Sequence, residues 1–324
     1  MRKAGESDPA LARAALEGLR AYQSAPRPQP RARRPTIASR DGSSLADHGG
    51  SGAPVVLIPS LINPPHILDL DPQVSLADAI AGMGHRALLL DWGAAADRCE
   101  LSVAGHIERR LIPLLESLSE PPVLIGYCLG GTMAIAAAGH IALAGLVTLA
   151  APWDFAAYPE SARDSLDTLW ERAEPSARSL GVLPIEVLQA AFWSLDPERT
   201  VRKFARFAGL EPASAEARRF VEMEEWANEG EPLPYPAAAE LLEGLFGANL
   251  SGRGEWRVGG RTAGLPEDLP ALHVTASDDR IVPSATAPPG LRLAIASGHV
   301  GMVVGSARAG LHRAIGEFLA RRVP

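Results

Sequence analysis

Apolar residues fall into short blocks that alternate between two spacings. Val55–Ile58 is an unbroken apolar run bounded by Pro54 and Pro59, the pattern of a strand buried on both faces. Residues 73–83 switch to helical spacing through Val74, Leu76, Ala77, Ile80 and Ala81. Arg86–Leu90 is a second strand, ending at Asp91-Trp92-Gly93. Residues 101–118 place Leu101, Ile107, Leu111, Leu114, Leu115 and Leu118 on one helical face. Val123–Gly126 is a third strand, Gly131–His140 an Ala-rich helix and Gly145–Leu149 a fourth strand. Strands alternating with helices predict an α/β fold, a mostly parallel sheet with helices on both faces.

The alternation stops at about residue 152. Up to 261 the chain shows helix and loop patterns only, and it holds Trp153, Trp170, Trp193, Trp226 and Trp256, five of the six tryptophans. This predicts a helical cap or lid inserted into the sheet domain. Ala271–Ala276 and Leu291–Ile295 restore the strand pattern, and residues 307–321 close with a helix. The expected organisation is a helix and Pro/Arg-rich linker over 1–53, an α/β core from 54–151 and 262–324, and the insert over 152–261. Within the first segment, Leu11, Ala15, Leu16, Leu19 and Tyr22 make an amphipathic helix over 9–22. It is a docking element for the body or a partner, or a fraying terminus.

Composition narrows the function classes. Hydrophobic residues make up 47% of the chain, enough for a large core. The net charge of −7 and the lack of a basic stripe argue against a nucleic-acid partner. The one basic cluster, Arg27, Arg31, Arg33, Arg34 and Arg40, sits in a Pro-rich stretch and reads as solvated linker. No apolar run is long enough for a transmembrane segment, and the basic N-terminus leads into no apolar signal core. Two cysteines, Cys99 and Cys128, form no disulfide framework and fit a reducing cytoplasm.

The chemistry concentrates at Val123-Leu-Ile-Gly126-Tyr127-Cys128-Leu129-Gly130-Gly131-Thr132. Strand, Gly-x-Cys-x-Gly-Gly, helix is a nucleophile elbow with cysteine in the serine position. Glycines at 126, 130 and 131 keep side chains out of a turn too tight to hold them. The turn aims the N-terminus of the next helix at the thiol, which favours thiolate.

An elbow requires a base and an orienting acid, in the chain order nucleophile, acid, histidine. The strand 271–276 runs into Ser277-Asp278-Asp279-Arg280, so the acid is Asp278 or Asp279. The strand 291–295 runs into Ser297-Gly298-His299-Val300-Gly301. Of eight histidines, His299 alone occupies the loop after the last strand. His48, His140 and His312 read as exposed, His273 as a core residue, and His85 and His106 sit beside a strand and on a helix. The oxyanion hole combines the N–H of Leu129 with that of Leu61 or Ile62 in the Pro59–Asn63 loop. Asn63, His66 and Tyr127 are candidates for the substrate pocket. No HExxH, zinc-spaced Cys pair or P-loop is present, so no metal and no cofactor is expected.

These blocks together resemble the polyhydroxyalkanoate (PHA) synthases. The elbow is similar to their lipase-like box, though dienelactone hydrolases carry a similar one. Ile58-Pro-Ser-Leu-Ile-Asn63-Pro-Pro-His-Ile-Leu68-Asp69-Leu70 resembles their Pro-Pro-Leu-Ile-Asn loop and Ile-Leu-Asp-Leu block. Ser75-Leu, Gly84-His85 and Asp91-Trp92 are similar to further family positions. Asp278-Asp279-Arg280-Ile-Val-Pro283 resembles Glu-Asp-His-Ile-Val-Pro, whose second acid is catalytic, so the resemblance selects Asp279. Ser297-Gly298-His299-Val resembles Ser-Gly-His-Ile, and Met223-Glu-Glu-Trp226 resembles a stretch of the short synthases that work with a helper subunit. The likeness covers about residues 54–320; Ser60 and Arg280 depart from it.

The resemblance implies a Cys128-His299-Asp279 acyltransferase that takes 3-hydroxyacyl-CoA and extends a polyester. Two other readings stand beside it. One is a hydrolase with the same triad, acting on acyl-thioesters, esters or PHA. The other is a non-catalytic granule or helper protein. A related acyl ester substrate, a homodimer or helper subunit, and the PHA granule surface are the partners these readings bring, with a cytoplasmic or granule-associated location.

Overall fold

A computed structural model describes residues 8–28, 31–195 and 197–322. Its central sheet has eight strands: β1 (Thr36–Arg40), β2 (Ser43–Asp47), β3 (Pro54–Ile58), β4 (Arg86–Asp91), β5 (Val123–Tyr127), β6 (Gly145–Leu149), β7 (Ala271–Ala276) and β8 (Arg292–Ile295). Their spatial order is β1-β2-β4-β3-β5-β6-β7-β8. The pairs from β4 through β8 are parallel, and β1 and β2 add antiparallel at one edge. Every residue of β3, β5 and β6 is buried, which is why these strands read as continuous apolar runs. The fold is the expected mostly parallel sheet with helices.

Registers bring the strand ends to one edge. Ile58 of β3 pairs with Gly126 of β5, Tyr127 with Leu149 of β6, and Ala276 of β7 with Ile295 of β8. The loops after β3, β5, β6, β7 and β8 therefore leave the same edge of the sheet. A parallel sheet collects its functional loops there.

The linker expected over the region before residue 54 is corrected at 36–47, where β1 and β2 form a hairpin. Asp41 and Gly42 both have positive φ, 44° and 89°, as a two-residue turn of the primed type requires. The strands are polar because the hairpin closes an edge: only Ser43 and Leu45 are buried. Asp-Gly was the local signal for this turn. Arg86 clamps the hairpin to β4 by donating from Nε and Nη2 to Asp47 Oδ2, at 3.0 and 2.8 Å.

His48 follows β2 and is buried, not exposed as its sequence context suggested. Its Nδ1 lies 3.6 Å from Asp78 and 3.8 Å from Asp69. A polar loop context gave no hint of these distant carboxylates.

The chain divides into two compact units: the residues before 33 with Glu186–Gly230, and Arg33–Ile185 with Glu231 onward. The smaller unit is helical. Pro9–Ser24 lies against Pro197–Ala208 so closely that a Cβ on Gly18 would fall 1.8 Å from the Phe204 carbonyl oxygen. Ala15 and Tyr22 share a core with Val201, Phe204, Phe207, Ala217 and Val221. The Tyr22 hydroxyl donates to Glu225 at 2.5 Å. The amphipathic N-terminal helix is thus docked on helices of the insert.

In the larger unit, the remaining insert residues are held by part-buried hydrogen bonds. Glu240 accepts from the Trp256 indole at 2.7 Å and from the Ala104 N–H at 2.9 Å. Trp170 donates to Glu243, and the Trp153 and Trp256 rings lie 6.2 Å apart. The side chain of Trp193 lies outside the described residues. No described helix is long and apolar enough to cross a membrane.

Candidate active site

Cys128 ends β5 with φ 55° and ψ −129°, a left-handed conformation that only a forced turn imposes on a non-glycine residue. Two close approaches impose it. A Cβ on Gly126 would lie 2.4 Å from the Gly131 Cα, and one on Gly130 would lie 2.2 Å from the Ile58 carbonyl oxygen. A Cβ on Gly131 would likewise meet Ala151. The Cys128 N–H donates to Leu149 O at 2.9 Å, which ties the turn to β6. Cys128 is the N-cap of the helix Leu129–Ala138, so the helix N-terminus faces the thiol. The helix is buried along its whole length, and Thr132 fixes it by donating to Pro152 O at 2.5 Å.

Asp279 and His299 come together from the loops after β7 and β8. His299 Nδ1–H donates to Asp279 Oδ2 at 2.6 Å, and both side chains are buried. The other carboxylate oxygen of Asp279 accepts the N–H groups of Ile281 and Val282, each at 2.8 Å. The carboxylate is therefore fixed before it orients the ring. Asp278 is exposed. The other ring nitrogen of His299 is not used by Asp279, and Cys128 lies close enough to act on the charge of the ring.

Electrostatics follow from this geometry. Burial alone would depress the His299 pKa. Negative charge at Cys128 and the bonds to Asp279 and Cys128 outweigh it and push the pKa up to about 10. A raised histidine pKa adds stability that is complete below the unfolded value near 6.5 and fades as pH rises towards 10. NMR of labelled histidines should show His299 as an imidazolium throughout the neutral range. In Cys128→Ala the largest raising influence is gone while burial stays, so the ring should titrate lower. An unchanged titration would mean the sulfur carries no charge.

Tyr127 is buried, its hydroxyl donates to the His299 carbonyl oxygen at 3.3 Å, and the two rings lie 5.0 Å apart. Its contact is with the loop that carries His299. Asn63 and His66 lie half-buried on the loop after β3. In that loop the Ile62 N–H donates to Ser60 Oγ at 3.3 Å, whereas the Leu61 N–H makes no hydrogen bond with any described residue. Loop packing reaches the elbow here, since Pro59 O also lies against Gly130.

Sequence reasoning missed Tyr158. It is buried after β6, and its phenol pKa is raised well above the ordinary value, by burial first and then by negative charge at Cys128 and Asp279. No motif marks it. Its only sequence signal is that it follows the strand next to the elbow.

One described cluster has metal-ligand spacing: His48, Asp69 and Asp78, with donor atoms within 4.8 Å of one another. Its carboxylates already have partners. Ser75 Oγ donates to Asp69 at 2.6 Å, and Arg34 pairs with Asp78 at 2.9 Å. The cluster reads as a joint between the hairpin and the helix Leu76–Gly82.

The elbow on β5, the acid after β7 and the histidine after β8, on a mostly parallel sheet, define an α/β-hydrolase fold. Among solved structures, BpoC of Mycobacterium tuberculosis, assigned as a non-heme bromoperoxidase, shares this fold with a TM-score of 0.53 and 18% identity, over 91% of this chain and 100% of that one. By sequence, the curated relatives are poly(3-hydroxyalkanoate) polymerase subunits PhaC. That of Haloarcula marismortui is 24% identical over 88% of this chain and 64% of its own length. That of Allochromatium vinosum is 26% identical over 83% of this chain and 81% of its own. The chain thus spans a little under two thirds of the archaeal relative. No protein-family model matches it.

Proposed function

We propose that this protein is a PHA synthase-like acyltransferase that works through Cys128, His299 and Asp279. The observation that carries the reading is the buried Asp279–His299 pair set against a cysteine held at the elbow. The similarity to poly(3-hydroxyalkanoate) polymerase subunits supports a 3-hydroxyacyl substrate, which the reading takes as its CoA thioester.

In the first half-reaction the Cys128 thiolate attacks the thioester carbonyl. The carbonyl oxygen takes the charge in a hole made by the N–H groups of Leu129 and Leu61. Leu61 is preferred to Ile62 because its N–H is unspent. The C–S bond to CoA breaks as the new one forms, and the His299 imidazolium gives its proton to the leaving thiolate. The neutral ring then takes the proton of a 3-hydroxyl, which attacks the acyl-enzyme, forms an ester and frees the thiolate. Tyr127 is assigned to positioning His299.

Water in place of the hydroxyl would release the acid instead. Mass spectrometry of the products from 3-hydroxybutyryl-CoA separates the outcomes. Ester-linked oligomers with free CoA are expected. Free 3-hydroxybutyrate alone would overturn synthesis in favour of a thioesterase-type hydrolase, and unreacted substrate with an unmodified Cys128 would remove the acyltransferase reading.

A further inference from the structure

Two tyrosines feel the charges of both Cys128 and Asp279, and only one has spent its hydroxyl. Tyr127 donates to His299 O. The Tyr158 ring is also buried, with 8% of the residue exposed, and its hydroxyl makes no hydrogen bond with any described residue. The hydroxyl oxygen is not itself buried, so a phenol whose ring is packed and whose O–H has no protein partner can donate to a ligand that reaches it.

The segment that carries Tyr158 is clamped between the elbow and the acid loop. On one side, Leu149 O takes the Cys128 N–H, Ala151 lies against Gly131, and Pro152 O takes the Thr132 hydroxyl. On the other, the N–H groups of Trp153 and Asp154 donate to Thr286 O at 2.8 and 3.0 Å, just beyond the Asp279 loop. Asn249 fixes the next turn: its Oδ1 accepts the Phe155 N–H and its Nδ2 donates to Asp154, each at 2.8 Å. The Tyr158 ring is wedged on Phe155 and Phe246, with centroids 6.0 and 5.0 Å away. A ring held so firmly has a preset hydroxyl position.

Strand order says which substrate atom it meets. Leu61 follows β3, on one side of β5, and Tyr158 follows β6, on the other. With the carbonyl oxygen turned to the β3 side, the acyl chain runs towards β6. We infer that the Tyr158 hydroxyl is a specificity-determining donor to the 3-oxygen of an acyl group held on Cys128. The inference rests on the acyltransferase reading for its substrate. A phenol that resists ionisation serves as a donor and not as a base.

Tyr158→Phe tests it, because the ring and its packing are kept. Acylation of Cys128 is followed by intact-protein mass spectrometry, with 3-hydroxybutyryl-CoA against butyryl-CoA. The same comparison is made with the two nitrophenyl esters, which need no CoA recognition. Loss of one hydrogen bond should slow the 3-hydroxy substrates about tenfold and leave the unsubstituted ones within about twofold. An equal fall for both would assign Tyr158 to the oxyanion or to packing, and no fall would leave it without a role; either overturns the proposal. If wild type accepts the nitrophenyl esters but neither CoA ester, CoA transfer fails, while the ester pair still decides Tyr158.

Discussion

Cys128→Ala should abolish acyl transfer, with CoA release falling at least about ten-thousand-fold, the scale for loss of a nucleophile that acts as part of a triad. The thermal midpoint should move by only a few degrees. Alanine fits the elbow, because the strain there is in the backbone and is already present with φ at 55°. Its removed sulfur leaves no buried backbone group unpaired, since the N–H still donates to Leu149 O. Cys99 is exposed and gives the matched control: Cys99→Ser should keep full activity. Retained turnover in Cys128→Ala would remove the nucleophile from the mechanism, while a collapsed melting transition would mean the thiol is structural.

Asp279→Asn should be nearly as damaging, roughly ten-thousand-fold, as expected when a triad acid becomes an amide. The amide oxygen can still accept from Ile281 and Val282. Its NH2 would then face His299 Nδ1, which now needs to be an acceptor. That places the ring proton on the nitrogen facing Cys128 and disables it as a base. Removing the carboxylate also removes two influences that raise the His299 pKa. Asp278→Asn, at an exposed position, should change rates within about twofold. Steady-state CoA release on the two variants decides the pair. Equal losses would mean that the loop, not the carboxylate, matters.

The strands were legible because β3, β5, β6 and β7 are buried runs whose hydrophobicity is local to each segment. The β1–β2 hairpin was not, because an edge strand can be polar and its support comes from β4 and Arg86. The N-terminal helix was legible as amphipathic, but its partner, nearly two hundred residues away, had no local signature.

The elbow glycines were legible in the sequence alone, since the steric demands at 126, 130 and 131 act within a few residues, and the strand pattern was enough to place Asp279 and His299 in the loops after β7 and β8. The hydrogen bonding that distinguishes the Leu61 and Ile62 N–H groups, the contact of Tyr127 with the His299 loop and the unpartnered hydroxyl of Tyr158 were decided only by tertiary structure. Each depends on which group lies opposite across a strand end, and register and loop packing set that over long stretches of chain.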